Sequence, residues 1–196
     1  MLDGTTLSYA ELGVRVRIAV SVLRALGLAP GDRIAIWLPN VPQWPVLEFA
    51  AALLGLLIVP VNARFRADEA GYVLRVSGAR VLFTQHAFMT NGYVRRLRGL
   101  ARGPIGHGDE AAIDALPALR RVVLVDDHDG EPGTTPWSRL AAGATPADDL
   151  DALAGARTPQ DRLWLFWTSG STRAPKGAVL AQSAVTNVWN WSAMAG

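Results

Sequence analysis

Residues 167–177 read WTSGSTRAPKG, and their types and spacing suit one kind of chemistry. Thr168, Ser169, Ser171 and Thr172 offer hydroxyls, while Gly170 and Gly177 allow backbone N–H groups to come close to a ligand. Arg173 and Lys176 bring positive charge, and Lys176 is the only lysine among 19 lysines and arginines. Hydroxyls and amides donate to phosphate oxygens, and an ammonium neutralises part of a polyphosphate's charge. The segment therefore has the parts of a phosphate cradle. The generic loop G-x-x-x-x-G-K-[ST] is not matched, because Pro175 stands at its second glycine and Gly177 at its magnesium-binding hydroxyl. This counts against an unrelated P-loop phosphotransferase. Composition alone is equally met by a polar hairpin between strands at 163–167 and 178–181.

A cradle of this kind needs rigid elements to present it, and the chain supplies them in alternation. Ser8 followed by Glu11 is a capping-box signature, and Leu12, Val16, Val20, Leu23 and Leu26 recur at helical spacing until Gly27. APGD at 29–32 is a turn, RIAIWL at 33–38 a short strand, and Pro39-Asn40 its end. A helix over 41–56 and a strand over 57–61 follow, then a helix over 67–77 and strands at 81–84 and 122–125. Continuous Val, Ile and Leu runs separated by helices indicate an α/β fold whose mostly parallel sheet is buried on both faces. Residues 103–114 and 126–136, rich in Gly, Pro and Asp, are expected to be surface loops, and 141–158 a connector. The division expected is a first α/β subdomain at 1–145, then a connector and the start of a second at 146–196.

Composition removes several function classes. Half of the 196 residues are hydrophobic, enough for a sizeable core, and the formal net charge is only +2, too weak to imply a nucleic-acid partner. With no cysteine, the chain has no disulfide framework, thiolate metal site or thiol nucleophile. The start MLDGTTLSYAEL lacks the basic and apolar regions of a secretory signal, so a cytoplasmic location is expected. The most apolar stretch, 49–61, falls short of the roughly 20 residues that span a bilayer and contains Gly55 and Pro60. No membrane span is expected.

Other constellations read as structural. DDHDG at 126–130 does not have calcium-loop spacing and is expected to be a polar turn, as is His107 with Asp109 and Glu110. Arg95, Arg96, Arg98 and Arg102 lie across a helix whose Val94, Leu97 and Leu100 face the other way, the pattern of a solvated face. Trp164, Trp167, Trp189 and Trp191 are aromatic enough to line a cofactor slot, although such residues more often fill cores.

The spacing T-S-G-S-T-x-x-P-K-G at 168–177 goes beyond composition: it resembles the phosphate-binding signature of the adenylate-forming, or AMP-binding, superfamily. That superfamily includes acyl-CoA synthetases, adenylation domains of peptide synthetases and luciferases. LSYAEL at 7–12, LGLAPGDRIAIWLPN at 26–40, GLLIVPVNARFR at 55–66 and YVLRVSGARVLFT at 72–84 follow in that family's order. VNARFRADEAGYVL and NVWNW look closest to acyl-CoA ligases. The resemblance implies the incomplete N-terminal part of the adenylate-forming fold, and a ligase of fatty acid or other acyl metabolism. Such an enzyme joins a small carboxylic acid to coenzyme A through an acyl-adenylate, using ATP and Mg2+. It implies that Thr168, Ser169, Gly170, Ser171, Thr172, Arg173, Lys176 and Gly177 hold the β- and γ-phosphates, with Lys176 and the Thr168, Ser171 and Thr172 hydroxyls as main contacts.

Two departures accompany the resemblance. The family has glycine where this chain has Arg173, which either adds a cation or occludes the pocket. The family's adenine, ribose and magnesium contacts, and the lysine required for adenylation, lie downstream of these 196 residues. No catalytic residue and no metal ligand is therefore assigned here, and inactivity alone is expected. A complementing C-terminal polypeptide would supply the rest; the alternative is a non-catalytic remnant or interaction domain with the same fold.

Overall fold

A computed structural model describes residues 6–128, 131–167 and 175–184. Helix α1 (Tyr9–Ala25) is followed by β1 (Arg33–Trp37), α2 (Gln43–Leu54), β2 (Leu57–Pro60), α3 (Ala67–Ser77), β3 (Val81–Thr84) and α4 (Tyr93–Ala101). A small hairpin of β4 (Gly106–His107) and β5 (Glu110–Ala111) precedes β6 (Arg121–Leu124) and β7 (Thr135–Pro136). Then come α5 (Trp137–Ala142), α6 (Leu150–Gly155), β8 (Arg162–Trp167) and β9 (Gly177–Ala181). The expected α/β architecture is present, with element positions close to those read from the sequence.

Seven strands form one sheet in the order β7-β6-β3-β1-β2-β8-β9, and every pairing is parallel except that of β8 with β9. Alternation along the strands divides the interior. Ile34, Ile36, Ile58, Val81, Phe83 and Val123 face a core with α1 and α2, whereas Ala35, Trp37, Val59, Leu82, Val122 and Leu124 face a second core with α3 and α4. Covering both faces is what allows near-continuous apolar strands. Each large side chain so buried contributes about 1.5–3 kcal/mol.

Local signals set the helix ends. The Ser8 hydroxyl accepts from the Glu11 N–H and the Glu11 carboxylate accepts from the Ser8 N–H, a complete capping box. Gly55 and Gly78 end α2 and α3 in the left-handed region, at φ 67° and 64°. Among the described residues no helix is long and apolar enough to cross a membrane.

Three expectations are corrected. Residues 103–114 and 126–136 are not merely surface loops: Ile105, Ala111 and Ile113 are buried in the second core, and Glu131, Thr134 and Thr135 are buried as well. The arginines of α4 are not simply a solvated face. Arg98 forks onto Glu131 at 2.8 and 2.5 Å, and Arg96 donates to the Phe65 carbonyl and the Asn91 side chain. A buried carboxylate needs such a partner, and two-point guanidinium geometry provides it. The connector at 141–158 contains α6 and the last two residues of α5, and it is fastened to α1. Arg17 donates to the Ala147 carbonyl, Ser21 to that of Thr145, and Arg24 pairs with Asp149. These elements are too short for their periodicity to show.

Candidate functional site

The chain leaves β1 toward α2 on one face of the sheet and leaves β2 toward α3 on the other. Opposite departures from neighbouring parallel strands open a crevice beyond their carboxyl ends, where ligands of open α/β sheets bind. Here that crevice is a cleft of about 930 Å³. Leu38 to Asn40 line it after β1, Pro60 to Ala63 and Phe65 from the end of β2 onward, and Asp68, Glu69 and Tyr72 from α3. The remaining wall is made by Phe166, Trp167 and Pro175, which belong to the β8–β9 hairpin and its turn.

β8 and β9 bring the flanks of the signature segment to this place. β8 joins the sheet through Ile58↔Trp164, and β9 returns antiparallel in the register Trp167↔Gly177 and Leu165↔Val179. Of the expected phosphate-binding residues, Thr168, Ser169, Gly170, Ser171, Thr172 and Arg173 lie outside the described residues. Lys176 is exposed immediately before β9, and Gly177 is the first residue of β9. A Cβ on Gly177 would lie 2.8 Å from a Leu165 methyl and 3.5 Å from the Trp167 ring. The missing side chain thus makes room for the cross-strand indole, a packing reason for this glycine in addition to ligand approach.

Two tryptophans absent from the sequence-based site fasten the cleft walls. The Trp37 indole N–H donates to the Asn62 carbonyl at 3.0 Å, and that of Trp44 donates to the Leu38 carbonyl at 3.3 Å. Tyr72 was also missed; its hydroxyl donates to the Pro175 carbonyl at 3.2 Å. The signal that could have found these residues is position, since they lie on or near the segments that follow β1 and β2. Of the tryptophans singled out in the sequence, Trp164 belongs to the core and Trp167 to the cleft, while Trp189 and Trp191 lie outside the described residues.

The remaining polar clusters have structural partners. Asp126 accepts from the His86 N–H and Asp127 from the Ser138 N–H, which makes this part of 126–130 a polar turn. Asp109 pairs with Arg139. Among the described residues no three His, Cys, Asp or Glu side chains are placed to hold a metal ion. Cleft charge is divided between the carboxylates of Asp68 and Glu69 on one wall and Lys176, next to the wall residue Pro175. Glu69 is partly committed, because its carboxylate accepts from the Arg66 N–H.

Fold, cleft and signature segment define the class: the chain belongs to the AMP-binding enzyme family, whose family model matches residues 1–195. Within that family it corresponds to the N-terminal portion of acyl-CoA ligases. It is 37% identical over 185 residues to a Mycobacterium tuberculosis 3-[(3aS,4S,7aS)-7a-methyl-1,5-dioxo-octahydro-1H-inden-4-yl]propanoyl:CoA ligase, covering 93% of this chain and 33% of the relative. It is 31% identical to the human mitochondrial medium-chain acyl-CoA ligase ACSF2, covering 94% of this chain and 30% of that protein. The chain thus spans about a third of the length of these relatives. Among solved structures, a Mycobacterium tuberculosis fatty acyl CoA synthetase superposes with TM-score 0.70 at 26% identity, over 93% of this chain and 30% of that one. The N-terminal domain of FACL13 from the same organism gives TM-score 0.72 at 24% identity, over 94% and 39%, a likeness of fold.

Proposed function

We propose that this chain supplies the polyphosphate-gripping third of an AMP-forming acyl-CoA ligase. The observation that carries this reading is that both flanks of the signature segment, Trp167 and Pro175, line the cleft beyond the carboxyl ends of the parallel strands. Lys176 follows Pro175 directly, and Thr168, Ser171 and Thr172 lie between the two flanks in the sequence.

In the reaction of such ligases, a carboxylate oxygen attacks the α-phosphorus of ATP, and the bond to the β-phosphate breaks to release pyrophosphate. The thiol of coenzyme A then attacks the acyl carbon and AMP leaves. Negative charge grows on the departing pyrophosphate during the first step, so preplaced donors and an ammonium lower that barrier. Lys176 and the hydroxyls of 168–172 serve this purpose. Magnesium, bound with ATP, would neutralise part of the triphosphate's charge; no residue of this chain is assigned to it. The acid wall of Asp68 and Glu69 favours a polyphosphate seated toward Lys176.

The acyl group is left at a carboxylic acid, because the relatives' names range from a fused-ring propanoyl group to medium-chain acyl groups. Adenylation by these 196 residues alone is not expected. A polypeptide carrying the remaining two-thirds of a ligase, such as that of the 37% identical mycobacterial relative, would complete it. The test is carboxylate-dependent exchange of labelled pyrophosphate into ATP. The 196 residues alone should give none, and the completed assembly should exchange and lose at least about tenfold with Lys176→Ala, the scale of one charged hydrogen bond. Exchange by the 196 residues alone, or a fully active Lys176→Ala assembly, would contradict this reading.

A further inference from the structure

The cleft lies beyond the carboxyl ends of the strands, and a second cavity lies at their amino ends. Its volume is about 500 Å³, within the roughly 300–1,000 Å³ of small-molecule pockets. Arg33 begins β1, Leu57 begins β2 and Arg162 begins β8, and all three line the cavity together with Arg157, Gln160 and Asp161. Strand pairing is sparse around it. β2 and β8 share the single register position Ile58↔Trp164, and the β8–β9 ladder shifts register between Arg162 and Trp164.

Three guanidinium groups against one carboxylate leave the cavity with a positive surplus, and that carboxylate is already engaged. Asp161 accepts from the Thr158 hydroxyl at 2.7 Å and stands 3.3 Å from Nη1 of Arg157. Arg33 donates through Nε and Nη2 to the Ser77 and Gly78 carbonyls, which holds its charge in place. Arg162 is exposed and forms no hydrogen bond or ion pair among the described residues. Arg157 is the least satisfied of the three. Its Nη1 packs where a side chain on Gly55 would stand, and its Nε is buried with no hydrogen-bond partner among the described residues. A buried donor without an acceptor is unfavourable, and an oxyanion is the ligand that relieves it while neutralising the surplus. Planar guanidinium groups match phosphate oxygens in pairs, and like charges on one cavity wall add their fields.

We propose that this cavity is a binding site for a phosphate group, separate from the polyphosphate cleft. Arg157 and Arg162 donate to the phosphate oxygens, the Gln160 amide adds a neutral donor, and Arg33 contributes charge from a fixed position. The site stands at the opposite end of the sheet from the cleft, so it does not rest on the function proposed above.

The test titrates inorganic phosphate and glycerol phosphate separately, by calorimetry at low ionic strength, into the 196 residues and into Arg162→Gln, Arg157→Gln and Lys176→Ala. The parent should bind at least one of the two saturably. Arg162→Gln should bind it at least about tenfold more weakly, the scale of one charged hydrogen bond, and Lys176→Ala should match the parent. Arg157→Gln should lose at least as much; if it does not fold, Arg162→Gln decides the matter. Equal or tighter binding of inorganic phosphate assigns the site to free phosphate, and tighter binding of glycerol phosphate assigns it to a phosphorylated small molecule. No saturable binding of either anion, equal affinity in the parent and Arg162→Gln, or a loss confined to Lys176→Ala overturns the proposal.

Discussion

Lys176 and Gly177 are neighbours with different duties. The glycine opens space for Leu165 and Trp167 across the hairpin, whereas the lysine stands exposed where the chain enters β9. Glu48 on α2 shows how a single charge can be spent without return. It is half-buried, no hydrogen bond or ion pair is formed by it among the described residues, and burial alone raises its pKa above the ordinary carboxylate value. A carboxyl group whose folded pKa is raised holds its proton more tightly when folded. Stability is therefore full below the ordinary carboxylate pKa of about 4 and falls as pH rises from there through the raised value. Glu48→Gln should raise the unfolding midpoint at pH 7.5 by roughly 1–2 °C and leave it unchanged near pH 3, in paired thermal melts. An equal effect at both pH values would show that the charge is not the cause.

At the scale of elements, the β8–β9 hairpin is the least covered part of the sheet among the described residues. Among the described residues β9 pairs on one side only, and Phe166, Val179 and Leu180 are 43%, 50% and 38% exposed. An apolar edge strand with open backbone groups invites pairing with another chain. The 196 residues alone should therefore self-associate at micromolar concentration in sedimentation velocity, and Val179→Lys should shift them toward monomer. A monomeric parent under the same conditions would contradict this. The hairpin also shows how far the sequence could be read. Its strands were visible as the apolar run Leu163 to Trp167 and the short run after Gly177, and the residue types proposed to hold phosphate lie between them. That Tyr72, over a hundred positions away, would donate to the Pro175 carbonyl was not visible, since an aromatic on an amphipathic helix reads as core.

Across the whole molecule, the α/β class was legible because the same strands must be apolar on both faces and each of α1 to α4 carries a cap, a glycine stop or a regular stripe. What stayed hidden was pairing at a distance. The bond from Arg98 to Glu131 spans 33 positions, and the fastening of 145–149 to α1 spans about 125. Neither leaves a periodic trace, so the first read as a solvated face and the second as a connector. The cleft is likewise a product of topology, formed because the chain turns to opposite faces after β1 and β2, with no local motif to announce it.

The central claim, that the segment between β8 and β9 grips a polyphosphate, is tested most directly by calorimetric titration of tripolyphosphate into the 196 residues and into Lys176→Ala. The account predicts saturable binding to the parent and a loss of at least about tenfold in the variant. No saturable heat with the parent, or equal affinity in the two, would contradict it.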